Sequence, residues 1–231
     1  IKFTDKIIKF FRNHMINSVN NLQTIQNTLK DKINKLILPN IVAVSKTYPI
    51  ENIYPLINHG HLHFGENKVQ EAVEKWTDIK KDFKHIQLHM IGKLQTNKVK
   101  FVIPLFDYIH SLDNLKLAKK ISIEQSKINK RLKIFIQINI GNEDQKNGIN
   151  EDQLCDFYKK CVQDLDLDII GIMCLPPKDG DIQNFFLKMK DLSKKIKVKE
   201  LSMGMSNDYL EAAKYGSTFI RIGSRIFGQR S

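Results

Sequence analysis

The chain has 231 residues, 42% of them hydrophobic, and its 37 Lys and Arg against 25 Asp and Glu give a formal net charge of +12. That length and apolar content suit one large domain, and 11 Gly with 6 Pro exclude long linkers and low-complexity tracts. The basic excess is scattered and accompanied by abundant Asn and Ile, which reads as compositional drift and not a polyanion patch, so no nucleic-acid partner is expected.

Residues 1–13 interleave Lys and Asn among the apolar positions, so no continuous signal-peptide core forms. Nowhere does the chain approach the roughly 20 uninterrupted apolar residues of a membrane helix, and a cytoplasmic protein is expected. Ile7, Phe10, Phe11, Met15, Ile16, Val19, Leu22, Ile25, Leu29 and Ile33 recur at helical spacing and predict one helix over Ile7–Leu36. Short β-branched or alternating runs then take turns with longer helical patterns. The strand candidates are Ile41–Ser45, His61–Phe64, Ile86–Ile91, Tyr108–Ser111, Lys133–Ile140, Asp168–Met173, Glu200–Met203 and Thr218–Ile222. Helices are predicted to begin near Ile50, Glu66, Thr96, Asp113, Asn150, Asp181 and Asn207, several of them on residues suited to an N-cap. Eight strands with intervening helices predict an α/β fold, a single (β/α)8 TIM barrel over 39–231 with an additional N-terminal helix within 1–38. An open doubly wound sheet is the alternative, but no Gly-x-Gly-x-x-Gly follows any strand.

Two features invite a metal or redox reading and carry little. Cys155, Cys161 and Cys174 form no Cys-x-x-Cys pair, which points to structural thiols. His61 and His63 would share one face of a strand, but no Cys or carboxylate partners them at short spacing, so surface or barrel-bottom histidines are the expectation. The one dense basic run, Lys188–Lys199, lies on an amphipathic helix and its exit and reads as a solvated face.

In a parallel barrel the active face lies at the carboxyl ends of the strands. Lys46 directly follows the apolar run Ile41–Val44, which leaves its ammonium at the barrel mouth, where burial favours the neutral amine that forms an imine. A lysine snorkelling to water from a strand end is the other reading. Gly204-Met205-Ser206 after strand seven and Gly223-Ser224 after strand eight offer backbone and hydroxyl donors to a phosphate, although ordinary turns favour the same residues. An imine-forming lysine opposite a phosphate cradle points to a phosphorylated aldehyde or ketone.

Several motifs follow in order from strand one to the end of the chain. They are Ala43-Val44-Ser45-Lys46-Thr47, Phe64-Gly65-Glu66-Asn67, the run His89 to Lys98, Ile136 to Ile140, Gly171-Ile172-Met173, Leu201 to Ser206, and Ile220 to Gly228. Together they resemble the pyridoxal phosphate homeostasis protein family, whose barrel is similar to the N-terminal domain of alanine racemases. The resemblance implies pyridoxal 5′-phosphate as cofactor, held as a Schiff base on Lys46. Asn67 would lie beside the ring, and Ser206, Gly223 and Ser224 with the backbone around Met205 would hold the phosphate. Arg221 would face the pyridine nitrogen. Ser224 stands where many relatives have threonine, which keeps the hydroxyl.

The resemblance further implies a cytoplasmic monomer serving intracellular cofactor homeostasis, a carrier that supplies pyridoxal phosphate to apo-enzymes and has no catalytic residues. An arginine at the ring nitrogen weakens the electron sink, and no second domain supplies an acid–base tyrosine. Tyr48, in a loop just past Lys46, fits that role poorly. A pyridoxal phosphate-dependent racemase or a class I aldolase-type lyase is the alternative.

Overall fold

The computed structural model describes residues 2–34, 36–143, 145, 147–177 and 179–229, with side chains from residue 17 onward. The first element is α1 (Lys2–Lys32). Leu22, Ile25, Leu29 and Ile33 are buried along one stripe of it, and Asn21 Nδ2 donates to Ile226 O at 3.0 Å. The helix stops earlier than the expected Leu36 because the stripe ends at Ile33, and Leu36 and Ile37 stand fully in solvent. Ile7, Phe10, Phe11, Met15 and Ile16 lie outside the described side chains.

Eight parallel strands close into a barrel in sequence order: β1 (Asn40–Val44), β2 (His63–Glu66), β3 (Gln87–Met90), β4 (Tyr108–Leu112), β5 (Lys133–Ile138), β6 (Asp168–Cys174), β7 (Glu200–Ser202) and β8 (Phe219–Ile222). β8 returns to pair with β1 through Ile41↔Ile220 and Ala43↔Ile222. The helices between them are α2 (Ile50–Asn58), α3 (Val69–Trp76), the short α4 (Ile79–Asp82), α5 (Val99–Leu105), α6 (Leu115–Ile128), α7 (Leu154–Lys159), α8 (Ile182–Lys195), α9 (Tyr209–Lys214) and α10 (Ser224–Phe227). Local capping fixes several starts. Asn114 accepts from the Leu117 amide at the head of α6, and Asp181 accepts from Gln183 and Asn184 at the head of α8. Among the described residues no helix is long and apolar enough to cross a membrane.

All eight strands depart from their expected limits, six of them by a single residue at one or both ends and two by more. β2 begins at His63 and runs to Glu66, two residues later at each end, because Glu66 pairs with Met90 and its carboxylate is buried instead of opening a helix. His61 therefore precedes the strand, and its Nε2 contacts His63 O at 2.9 Å. β5 ends at Ile138, where the Asn139 side chain draws the chain away by accepting from the Glu143 amide (3.2 Å) and donating to Glu143 O (3.0 Å).

Strand alternation divides the core in two. Outward residues such as Phe64, Leu88, Ile109, Ile134 and Ile172 pack beneath the helices. Inward, Val42, Tyr108, Phe135, Met173 and Phe219 form a separate cluster. This inner layer also buries His89, His110, Ser202 and Arg221, so the barrel interior is partly polar. Cys161 and Cys174 are buried and Cys155 exposed, and burial pushes the Cys161 thiol up to about 12.

Candidate functional site

Lys46 leaves β1 one residue past a clamp. The Ser45 hydroxyl donates to Glu66 Oε1 (2.7 Å), which also accepts from Lys75 Nζ (3.0 Å) and Trp76 Nε1 (3.0 Å). Lys75 reaches back to Ser45 O at 2.9 Å and to Glu71 at 3.0 Å. Glu71 in turn accepts from the Thr47 amide, which helps hold Thr47 at a positive φ of 67°. Both neighbours of Lys46 are thus tied to α3, which sets where the lysine leaves the strand. Burial raises the Glu66 pKa, Lys75 opposes the shift, and the second carboxylate oxygen has no partner among the described residues. A buried carboxylate is costly to desolvate, and here three hydrogen bonds to one of its oxygens offset that cost.

A cavity of about 1060 Å³ opens at the carboxyl end of the barrel, and Lys46, Asn67, Arg221 and Gly223 line it with Met205, Ser206 and Ser224. All seven positions singled out in the sequence share this one space. Lys46 and Asn67 are half-buried, and the Asn67 side-chain oxygen is buried with no partner among the described residues. An unsatisfied polar atom beside a cavity leaves a hydrogen bond for a ligand to complete.

Across the mouth, Ser206 and Ser224 meet with their hydroxyl oxygens 3.1 Å apart. Two glycines allow this. Gly204 adopts a φ of +91°, and a Cβ there would lie 2.5 Å from Ala212 Cβ. At Gly223 a Cβ would approach Val44 O to 3.2 Å, so its absence lets β8 exit close beside β1. The Met205 amide donates to Asp208 Oδ1 at 2.5 Å, so its donor is already engaged within the turn.

Arg221 enters from β8 and is 4% exposed. It donates to Ser202 Oγ (2.5 Å) and Cys174 O (2.8 Å), using two of its five N–H groups. Burial lowers its pKa, but a guanidinium keeps its proton and remains a donor.

Sequence reasoning missed the clamp on Lys46 and much of the cavity wall. Gln137, whose Nε2 donates to Asn147 O at 3.0 Å, and Lys93 also line the space. Gln137 had a signal, as the one polar residue inside the apolar run of β5. Tyr48 is buried, its hydroxyl donating to Gly228 O (2.6 Å) and its ring lying 4.8 Å from that of Phe227, and it does not line the cavity.

Residues 17–231 match the family model described as the alanine racemase N-terminal domain. The pyridoxal phosphate homeostasis protein of Pasteurella multocida is 36% identical over 224 residues, covering 91% of this chain and 96% of that protein. The Escherichia coli protein of the same name is 33% identical over 199 residues, covering 82% and 85%. Among solved structures, PipY of Synechococcus elongatus with PLP bound superposes with a TM-score of 0.80 at 28% identity, over 91% of this chain and all of that one. An alanine racemase of Clostridium difficile shares only the fold, with a TM-score of 0.72 at 15% identity, and this chain spans 57% of it. Matched over nearly the full length of such relatives, with the motif residues gathered at one barrel mouth, the chain belongs to the pyridoxal phosphate homeostasis protein family.

Proposed function

We propose that this protein binds pyridoxal 5′-phosphate covalently on Lys46 and holds it for delivery to apo-enzymes, without turning over amino acids. The observation that carries this reading is the placing of an amine, two converging hydroxyls and a buried guanidinium around one cavity. These donors fit the group. Lys46 would meet the aldehyde, Ser206 and Ser224 would donate to the phosphate beside the close-approach glycine Gly223, and Asn67 would offer an oxygen that has no partner among the described residues. When bound, the cofactor supplies an aldehyde that exchanges amines and a ring able to delocalise charge.

Arg221 would donate a hydrogen bond to the ring nitrogen and keep its own proton, so the nitrogen would stay neutral and charge delocalisation would be weak. No tyrosine or histidine is among the described residues of the cavity wall, and Tyr48 is committed to Gly228. Amine exchange at Lys46 needs no proton removal from a substrate carbon, so loading and release proceed without such a base. Positioned acid–base groups contribute about 10²–10⁴-fold each; besides Lys46 and Arg221 the wall carries Lys93 and Asp208, and the Asp208 carboxylate already accepts from the Met205 amide.

The test follows α-proton exchange of alanine, serine and ornithine by NMR in deuterated buffer, beside transfer of cofactor to an apo-enzyme with a coloured product. Exchange no faster than with free pyridoxal phosphate, together with restored apo-enzyme activity, supports the carrier. Turnover near the enzymatic median of about 10 per second would replace it with a racemase or lyase.

A further inference from the structure

Three histidines cross the barrel interior in a single hydrogen-bonded line. His63 Nδ1 lies 3.0 Å from His89 Nε2, His89 Nδ1 lies 2.9 Å from His110 Nε2, and His110 Nδ1 lies 2.8 Å from Ser202 Oγ. Ser202 also accepts from Arg221, so the line runs from the start of β2 through β3, β4 and β7 to the cofactor-facing side chain of β8. At the far end His63 borders a cavity of about 400 Å³ on the barrel floor. His89, His110 and Ser202 are fully buried. The rings are also fixed in plane, His89 stacked on Tyr108 at 4.1 Å and His110 on Phe135 at 4.3 Å.

The direction of the line follows from its one end that cannot accept. Arg221 only donates, so Ser202 Oγ accepts from it and sends its single proton to His110 Nδ1. His110 then carries its proton on Nε2 and donates to His89 Nδ1. His89 does the same toward His63 Nδ1, which leaves His63 protonated on Nε2, toward the floor. Each bond along the line then has one donor and one acceptor. Reversing the tautomers would aim two donors at Ser202 and leave its own proton with no acceptor among the described residues, which is the costly alternative. Burial depresses the pKa values of His89 and His110, consistent with neutral rings.

We propose that His63, His89, His110 and Ser202 form a one-way relay, each imidazole held as the Nε2–H tautomer, that positions Arg221 for the cofactor ring. None of the three histidines touches the cavity at the mouth, so each is a positioning residue. The proposal rests on the reading of that cavity as a pyridoxal phosphate site, but its hydrogen-bond pattern belongs to the protein alone.

Long-range 1H–15N NMR of the protein labelled at its 7 histidines, without cofactor, reads the tautomers directly. Nε2–H patterns at His63, His89 and His110 are expected. An Nδ1–H or doubly protonated ring at His89 or His110 at neutral pH overturns the relay. In a second arm, His110→Leu removes the acceptor for Ser202, while His110→Gln restores both an acceptor and a donor. The leucine variant should bind pyridoxal phosphate at least threefold more weakly and shift its absorption maximum, and the glutamine variant should recover both. Affinity and spectrum unchanged in His110→Leu would refute positioning. A parent protein that binds no pyridoxal phosphate sinks the functional reading instead, and the tautomers still decide the relay.

Discussion

Replacing Ser206 and Ser224 together with alanine removes the two hydroxyls that converge at the mouth, and their geometry sets the size of the effect. Each hydrogen bond to a charged group is worth about 1.5–3 kcal/mol, which for two suggests about 3–6 kcal/mol. The 3.1 Å contact between the hydroxyls lowers that figure, because they satisfy one another before a phosphate arrives and forfeit about 1 kcal/mol on turning to it. Ser224 is exposed and Ser206 half-buried, so water competes and the low end applies. The double variant should lose about 2 kcal/mol, roughly 30-fold in affinity. Each single variant should lose less than half of this, since its remaining serine no longer gives up a partner. The assay is titration followed by cofactor absorbance, with pyridoxal lacking the phosphate as control. Equal losses for both ligands would mean that the serines hold the fold, and a single variant as weak as the double would refute the coupling.

Gly204→Ala places a methyl group 2.5 Å from Ala212 Cβ at a φ of +91°, and backbone strain with overpacking should cost about 2–4 kcal/mol in chemical denaturation. A loss under about 1 kcal/mol would contradict the packing described for that turn. Stability should also fall in mild acid. His89 and His110 stay neutral when folded because burial depresses them, whereas unfolding returns them to about 6.5, so below that pH the unfolded state binds more protons. Their stabilisation is present above about pH 6.5 and is lost as pH falls below it, as is that of His61, which burial lowers to about 4. Glu66, raised by burial, opposes this as pH falls through its raised pKa toward the ordinary carboxylate range. Urea unfolding should come at a lower midpoint at pH 5.5 than at pH 7.5, by roughly 1 kcal/mol for each histidine kept neutral by burial, and equal midpoints would contradict neutral buried rings.

Much of the fold was legible because period-2 and period-3.6 patterns survive in the local sequence. The run Ile41–Val44 gave β1 and with it the position of Lys46, and the stripe Leu22, Ile25, Leu29, Ile33 gave the described half of α1. Boundaries failed where tertiary partners decide them. Glu66 looks like a helix start until Ser45, Lys75 and Trp76 bury its carboxylate, and those residues come from two other elements. The site residues could be gathered because a barrel places every strand end on one face. The histidine line could not, since His63, His89 and His110 are separated by whole βα units and only the barrel closure aligns them. The His61–His63 pair, by contrast, suggested a shared strand face that the later start of β2 removes.

The central claim is that Lys46 carries the cofactor, and one measurement addresses it directly. The protein is loaded with pyridoxal phosphate, reduced with borohydride, digested, and the modified peptide read by mass spectrometry. The account predicts a single labelled peptide spanning Lys46, with labelling abolished in Lys46→Ala. Label on Lys93, which lines the same cavity, or on any other lysine with Lys46 unmodified, would contradict it.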